Sequence, residues 1–358
     1  MPRPLRYDRV MCGTVLALMF FGLVMVFSAT TAASETTWIY IIKQSIAAAI
    51  GLVAMRFLMF YDYRRLRQQK IVFGVLGVSV VLLVLAAFLG TGANTRRFLR
   101  LWQFSLQPSE LAKPALILFL AFYLEQRRER LNDWRTVAGA GFIIAALSLL
   151  IYAGRDFGSM ASLIALAGVM LFVAGLPTRF VVMGSTALAV LTFFFVWMVP
   201  YRRERVLAFL HPENEPLGSG FQIIQSQIAV GSGGWFGQGW MAGKQKMHFL
   251  PAAHTDFIFA LIGEELGLIG AAVVVLAFAV LLWRGLRTAI KAPDTFGCYL
   301  ALGVTAMIIF QAMFNMGVVL ALLPTKGMPL PFISYGGSAM ITMLASAGVL
   351  LNVSRYAD

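Results

Sequence analysis

Charge is scarce in this sequence. Only 13% of its 358 residues are Asp, Glu, Lys or Arg, while 59% are hydrophobic. A soluble domain of this size has too little polar surface to cover so many apolar side chains, so a water-soluble fold is excluded. Cysteine is nearly absent. Cys12 and Cys298 both sit in apolar stretches, which excludes a disulfide framework and makes both read as small buried hydrophobes. The three histidines, His211, His248 and His254, are scattered, and no spacing matches a metal site. Acidic residues are few, 16 against 29 basic ones, and the formal net charge is +13. In a soluble chain that excess would suggest nucleic acid. Here the cations occupy short loops between apolar blocks, where they orient membrane spans instead.

What is abundant is apolar sequence in blocks of about 20 residues, the length that crosses a bilayer. Spans are predicted at 10–30, 38–59, 71–90, 108–124, 137–153, 158–176, 180–199, 267–284, 296–322 and 337–354. The expected fold is an all-α integral membrane bundle of about ten transmembrane helices. It forms a single integral membrane domain over 1–358, with one long structured extracytoplasmic loop over about 200–256. The first block follows Arg3, Arg6 and Arg9 in the manner of a signal peptide. It exceeds an h-region of about 7–15 residues, so it is read as a retained span. An even number of spans puts both termini on one side, and the N-terminal arginines make that side cytoplasmic. The loops agree. Arg64, Arg65, Arg67 and Lys70, then Arg127, Arg128, Arg130 and Arg135, then Arg179, then Arg284, Arg287 and Lys291 all fall inside.

Three outside loops break the bias. Arg96, Arg97 and Arg100 precede the fourth span. Arg202, Arg203, Arg205, Lys244 and Lys246 lie in 200–256, and Lys326 lies between the last two spans. An anionic ligand at the outer headgroup level would explain them, with nonspecific attraction to anionic lipid as the alternative. The long loop carries an amphipathic run, 221–230, followed by Gly231, Gly233, Gly234, Gly237 and Gly239. Those glycines suit tight turns or close approach of backbone to a ligand.

Ionisable groups beside spans are functional candidates because burying them is costly. Glu110 and Lys113 share a helix face after Pro108; they form either a self-satisfied pair or a contact to a substrate anion. Lys43 is read as snorkelling. Asp156 is a turn carboxylate or a ligand contact. Asp256 is the strongest candidate. A straight helix over 256–284 would measure about 43 Å, too long for a core of roughly 30 Å. Asp256 is therefore expected at the start of a short interfacial helix above the eighth span. Its carboxylate would be ionised there and able to act as a general base; a helix cap by Asp256 or Thr255 is the alternative.

At this point longer strings become recognisable. Gly220-Phe221-Gln222-Ile223-Ile224-Gln225-Ser226, Gly231-Ser232-Gly233-Gly234-Trp235-Phe236-Gly237 and His254-Thr255-Asp256-Phe257-Ile258-Phe259-Ala260 resemble the SEDS family (shape, elongation, division and sporulation). So do Gln107-Pro108-Ser109-Glu110-Leu111-Ala112-Lys113 and Pro329-Leu330-Pro331-Phe332-Ile333-Ser334-Tyr335-Gly336-Gly337-Ser338. The likeness runs in order over essentially the whole chain. Leu323-Pro324-Thr325-Lys326-Gly327 and Lys244-Gln245-Lys246 are closer to the division branch, FtsW, than to the elongation branch, RodA. Ala252, Phe98 and Gly154-Arg155 depart from the family's usual residues at those positions.

The resemblance implies a peptidoglycan glycosyltransferase that polymerises lipid II on the outer face of the bacterial cytoplasmic membrane. Asp256 matches the family's essential carboxylate. The candidate substrate contacts are Arg97, Arg100, Glu110, Lys113, Asp156, Gln225, His254, Thr255 and Lys326. An inverting displacement is expected, with a divalent cation (Mg or Mn) as an optional helper. The implied partner is a class B penicillin-binding transpeptidase with a single span, docked on small-residue helix faces such as Ala47-Ala48-Ala49 and Gly51. Other division or elongation membrane proteins are further partners, and no nucleic acid is expected. A lipid II flippase and a non-catalytic scaffold are the competing readings.

Overall fold

The computed structural model describes residues 7–31, 37–91, 96–101, 104–214, 220–247, 250 and 253–357. Its helices are α1 (Arg9–Thr30), α2 (Thr37–Phe60), α3 (Tyr63–Leu66), α4 (Gln69–Leu89), α5 (Pro108–Gln126), α6 (Trp134–Ala153), α7 (Phe157–Val173), α8 (Thr178–Trp197), α9 (Pro200–Leu210), α10 (Phe221–Ser232), α11 (Ile258–Lys291), α12 (Thr295–Val319) and α13 (Gly337–Ser354). An antiparallel hairpin, β1 (Leu99–Leu101) and β2 (Phe104–Leu106), pairs Arg100 with Ser105 and leads into α5. Each of the ten predicted spans falls on one of these helices. Among the described residues seven are long and apolar enough to cross a membrane, α7 and α8 are shorter apolar helices, and α5 carries the buried charges. The chain is a multi-pass membrane protein.

The scarce acidic residues serve as helix starts. Asp8, Asp133, Asp156 and Asp294 each accept the backbone N–H of Met11, Arg135, Ser159 and Gly297 respectively. Free N–H groups at a helix start are costly where water is scarce, so a carboxylate cap is well placed there. Helices α5, α12 and α13 form the interior and bury most of their side chains, whereas α8 turns most of its side chains outward. Of the small-residue strip on α2, Ala49 is exposed, while Ala47, Ala48 and Gly51 are buried and taken up within the chain. The buried part packs on α13, where Gly51 faces Leu344 and Ala47 faces Gly337.

Helix α11 confirms that a straight rod does not fit. Gly267 has φ 68° and ψ −164°, a region open essentially to glycine alone. The short segment before it is packed inside the protein, with every residue from Ile258 to Glu265 buried. A Cβ on Gly267 would collide with the backbone of Gly237 and Trp235, and one on Gly233 would collide with Gly263. Two glycines of the run, Gly233 and Gly237, thus allow close approach to the backbone of α11. Gly267→Ala should cost about 1–3 kcal/mol or more, read as a lowered Tm of the solubilised protein; an unchanged Tm would show that the break can relax.

Lys246 also has a different role from the one expected of an outside cation. Its Nζ lies 2.8 Å from Glu265 Oε1 and 3.1 Å from Ser28 Oγ, with both side chains of the ion pair buried. The Met241 N–H also donates to Glu265, at 3.2 Å, and the Lys244 and Gln245 N–H groups donate to Glu264 at 2.7 and 3.2 Å. The pair staples 237–247 to α11 and α1. Lys246→Met leaves a buried carboxylate unpaired and should cost about 3–5 kcal/mol, measured as lost thermal stability; loss of activity at unchanged Tm would point instead to a ligand role.

Candidate functional site

Helices α5, α7, α11 and α13 begin, and α4, α6 and α12 end, at one end of the bundle. Asp256 lies there, in the turn 253–257 that enters α11. The residue at the helix boundary is Phe257, with no side-chain cap, so Asp256 is not spent on capping. Its turn is held from three directions. Asn315 Nδ2 on α12 donates to the carbonyls of Asp256 and Met328, both at 2.7 Å. Ser334 Oγ donates to the Thr255 carbonyl at 2.6 Å, and the Tyr335 N–H donates to the His254 carbonyl at 3.0 Å. The carboxylate of Asp256 rests on Gly327, where a Cβ would overlap it.

Cations surround this carboxylate. Burial pushes the Asp256 pKa above the ordinary carboxylate value, while Arg97, Lys326 and Arg205 pull it back without cancelling the rise. Lys326 reaches across Gly158, whose missing Cβ makes room for its methylenes. Burial lowers the Lys326 pKa to about 8, with Asp156 opposing that shift. Burial alone would raise Asp156, but Lys326, the Ser159 hydrogen bonds and Arg97 outweigh it and hold this carboxyl below its usual value. Gln107 Nε2 also donates to Asp156, at 3.3 Å. Arg205 on α9 donates to the Thr325 carbonyl at 3.2 Å, tying that helix to the loop bearing Lys326.

A second polar group lies beside the first. Lys113 Nζ stands 2.7 Å from Glu110 Oε1 and 2.9 Å from Gln311 Oε1, and Gln311 Nε2 donates to the Pro329 carbonyl at 2.9 Å. The pair is both self-satisfied and part of the site, since Lys326 feels both of its charges. Buried and without a hydrogen-bond partner among the described residues are Lys326 Nζ, Arg97 Nε and Glu110 Oε2. Buried polar atoms left this way ask for a ligand or water, and here the three carry the charges that an anionic, hydroxyl-bearing substrate would meet.

Of the sequence candidates, Asp256, Arg97, Asp156, Lys326, Glu110 and Lys113 converge. Arg100 does not: it is exposed on β1 while its neighbour Arg97 turns inward. Gln225, on α10, makes no hydrogen bond among the described residues and is half-buried. His254 packs between Tyr40 and Tyr335, with ring centroids at 5.0 and 5.7 Å, and burial lowers its pKa. His254 and Thr255 thus contribute carbonyls that fix the turn. Lys43 is half-buried on α2 and unpaired among the described residues, while its neighbour Gln44 is buried, donates to the Ser334 carbonyl at 3.0 Å and accepts from the Gly336 N–H at 3.1 Å. His248 and Ala252 lie outside the described residues. Sequence reasoning counted Arg205 among the outside cations without assigning it to the site, and it did not single out Gln311, Asn315 or Gln44. Gln311 and Asn315 left a usable trace, as two amides four residues apart inside an apolar span.

Comparison with known proteins identifies the family. The FtsW/RodA/SpoVE family model, described as "Cell cycle protein", matches residues 8–358. The probable peptidoglycan glycosyltransferase FtsW of Geobacter metallireducens is 44% identical, over 98% of this chain and 95% of that protein. The stage V sporulation protein E of Bacillus subtilis is 41% identical, over 98% of this chain and 97% of its own. Among solved structures, a chain from a study of polymerization and crosslinking by a peptidoglycan synthase complex superposes with TM-score 0.81 at 34% identity, covering 98% of this chain and 99% of that one. The rod shape determining protein RodA of Thermus thermophilus gives TM-score 0.73 at 29% identity, covering 99% of both chains. Helices, site and relatives lead to one assignment: the chain belongs to the FtsW/RodA/SpoVE family of membrane proteins.

Proposed function

We propose that this chain is a peptidoglycan glycosyltransferase that joins the sugars of lipid II into glycan strands at the outer face of the cytoplasmic membrane, in division or elongation. The observation that carries the reading is the Asp256 carboxylate, fixed on Gly327 and faced by Lys326, Arg97 and Arg205. The basic loops cluster at the opposite end of the bundle, so the orienting rule puts both termini in the cytoplasm and Asp256 outside.

In this mechanism the acceptor sugar's 4-hydroxyl gives its proton to Asp256 as its oxygen attacks the donor's anomeric carbon. The bond from that carbon to the diphosphate oxygen breaks, and the diphosphate leaves with the electron pair. A single in-line displacement inverts the anomeric centre. A carboxylate whose pKa is raised above the ordinary value is a stronger base than a free one. Lys326, Arg97 and Lys113 stabilise the charge that grows on the leaving diphosphate, in a site where water is scarce and such charges act strongly. Among the described residues no three His, Cys, Asp or Glu side chains could hold a metal ion. A divalent cation, where one takes part, would take ligands from the diphosphate, beside the chain's own neutralising cations.

The partner we propose is a class B penicillin-binding transpeptidase, in line with the synthase complex to which the fold is similar. The test is purified chain in detergent with labelled lipid II, alone and with that transpeptidase. Glycan strands in either reaction support the enzyme. Scrambling of lipid between leaflets without polymer supports the flippase, and neither activity supports the scaffold.

A further inference from the structure

The far end of the bundle from Asp256 carries a cavity of about 320 Å³ that the glycosyltransfer reaction does not use. It lies between the start of α1, the end of α11 and the end of α13. On α11 the residues facing it are Arg284, Arg287, Thr288 and Lys291, spaced so as to form one helix face. From α1 come Asp8 and Arg9. The one described carboxylate in the lining is already satisfied: Asp8 is ion-paired with Arg284 and accepts the Met11 N–H at 3.0 Å, and its own N–H donates to Ser354 Oγ at 3.1 Å. Arg9, Arg287 and Lys291 are exposed and have no ion pair or hydrogen bond among the described residues.

Loop cations at this end follow from membrane orientation alone; three unpaired ones converging on a cavity, around a carboxylate that is neutralised internally, do not. The adjacent strip of α11 is apolar and outward-facing, with Trp283 60% and Ile290 82% exposed, and Val10 on α1 is 52% exposed. Cations in a recess beside exposed apolar side chains match the two halves of an anionic lipid.

We infer that this cavity is a binding site for a phosphate group, that of an anionic phospholipid whose headgroup enters among Arg9, Arg287 and Lys291 while its acyl chains lie along Trp283 and Val10. The inference stands on geometry remote from Asp256 and does not depend on the reaction assigned there.

The test uses full-length protein in nanodiscs of phosphatidylcholine, with or without phosphatidylglycerol. Retained lipid is counted by native mass spectrometry, and thermal stability is read alongside, since a ligand that binds only the folded state raises Tm. The wild type should retain phosphatidylglycerol and gain stability from it. Arg287→Gln/Lys291→Gln should weaken retention about 25-fold, about fivefold per cation removed. The pair Lys70→Gln/Arg130→Gln removes equal charge from exposed, unpaired positions outside the cavity, and should retain lipid as the wild type does. Equal losses in the two pairs would reduce the effect to surface potential and overturn the site, as would retention unchanged in the first pair. Inorganic phosphate added to phosphatidylcholine discs separates the sources. Stabilisation lost only in the first pair would keep the phosphate site and assign its ligand to solution; no response to either source would overturn it.

Discussion

Asp256→Asn yields protein that inserts and folds as the wild type does and forms glycan strands at least 10²–10⁴-fold more slowly, the span associated with losing a general base. The substitution is nearly isosteric. The turn is held through backbone carbonyls by Asn315, Ser334 and Tyr335, and none of those bonds needs the carboxylate. An amide rests on Gly327 as a carboxylate does. What it lacks is the capacity to take the acceptor's proton and the negative charge that balances Arg97, Lys326 and Arg205. Tm should therefore shift little while turnover collapses. Polymer formed by Asp256→Asn at the wild-type rate would remove the base from the mechanism.

Lys326→Met should lower turnover by about 10²–10³-fold, the scale of removing one preorganised charge from the place where the transition state develops its own. Lys326 acts electrostatically on both carboxylates of the site, being the largest cationic influence on Asp156 and second to Arg97 on Asp256. Its ammonium is buried without a hydrogen-bond partner among the described residues, so it is held ready for an anion. The loss should fall on kcat more than on KM, because the charge it meets grows during the reaction. Its lowered pKa adds a signature in pH. Folded Lys326 titrates near 8, against an ordinary value of 10.5. Between those values the unfolded chain binds one more proton than the folded one, so this group makes stability rise with pH. Activity should move the other way, falling as Lys326 loses its proton above about pH 8. Thermal unfolding and turnover measured over the same pH series would show the divergence; parallel curves would contradict it.

The helices were legible because the pattern that marks them is strong: apolar blocks of bilayer length separated by basic loops. The break in α11 followed from length alone. The Asp256 site was legible in part, through charges placed where a membrane protein has no orienting use for them. Other features needed three dimensions. Arg97 and Arg100 are three residues apart in sequence, and only the hairpin that follows Arg97 sends one inward and leaves the other exposed. Lys246 finds Glu265 nineteen residues later and Ser28 on the first helix, a pairing that no local pattern encodes. The glycines of 231–239 signalled close approach without naming the partner, which for Gly233 and Gly237 is the backbone of α11. Gln225 belonged to a recognisable string, yet among the described residues it makes no hydrogen bond to the charged cluster.

The pH–rate profile of glycan polymerisation by the purified protein tests the central chemistry most directly, compared between wild type and Lys326→Arg. A base at 256 and a buried ammonium at 326 give a bell. Its acid limb follows the raised Asp256 pKa, and its alkaline limb lies near pH 8. The guanidinium of Lys326→Arg stays charged, so its alkaline limb should move upward while the acid limb stays in place. A flat profile, or an alkaline limb that Lys326→Arg leaves where it was, would contradict a carboxylate working beside a titrating cation.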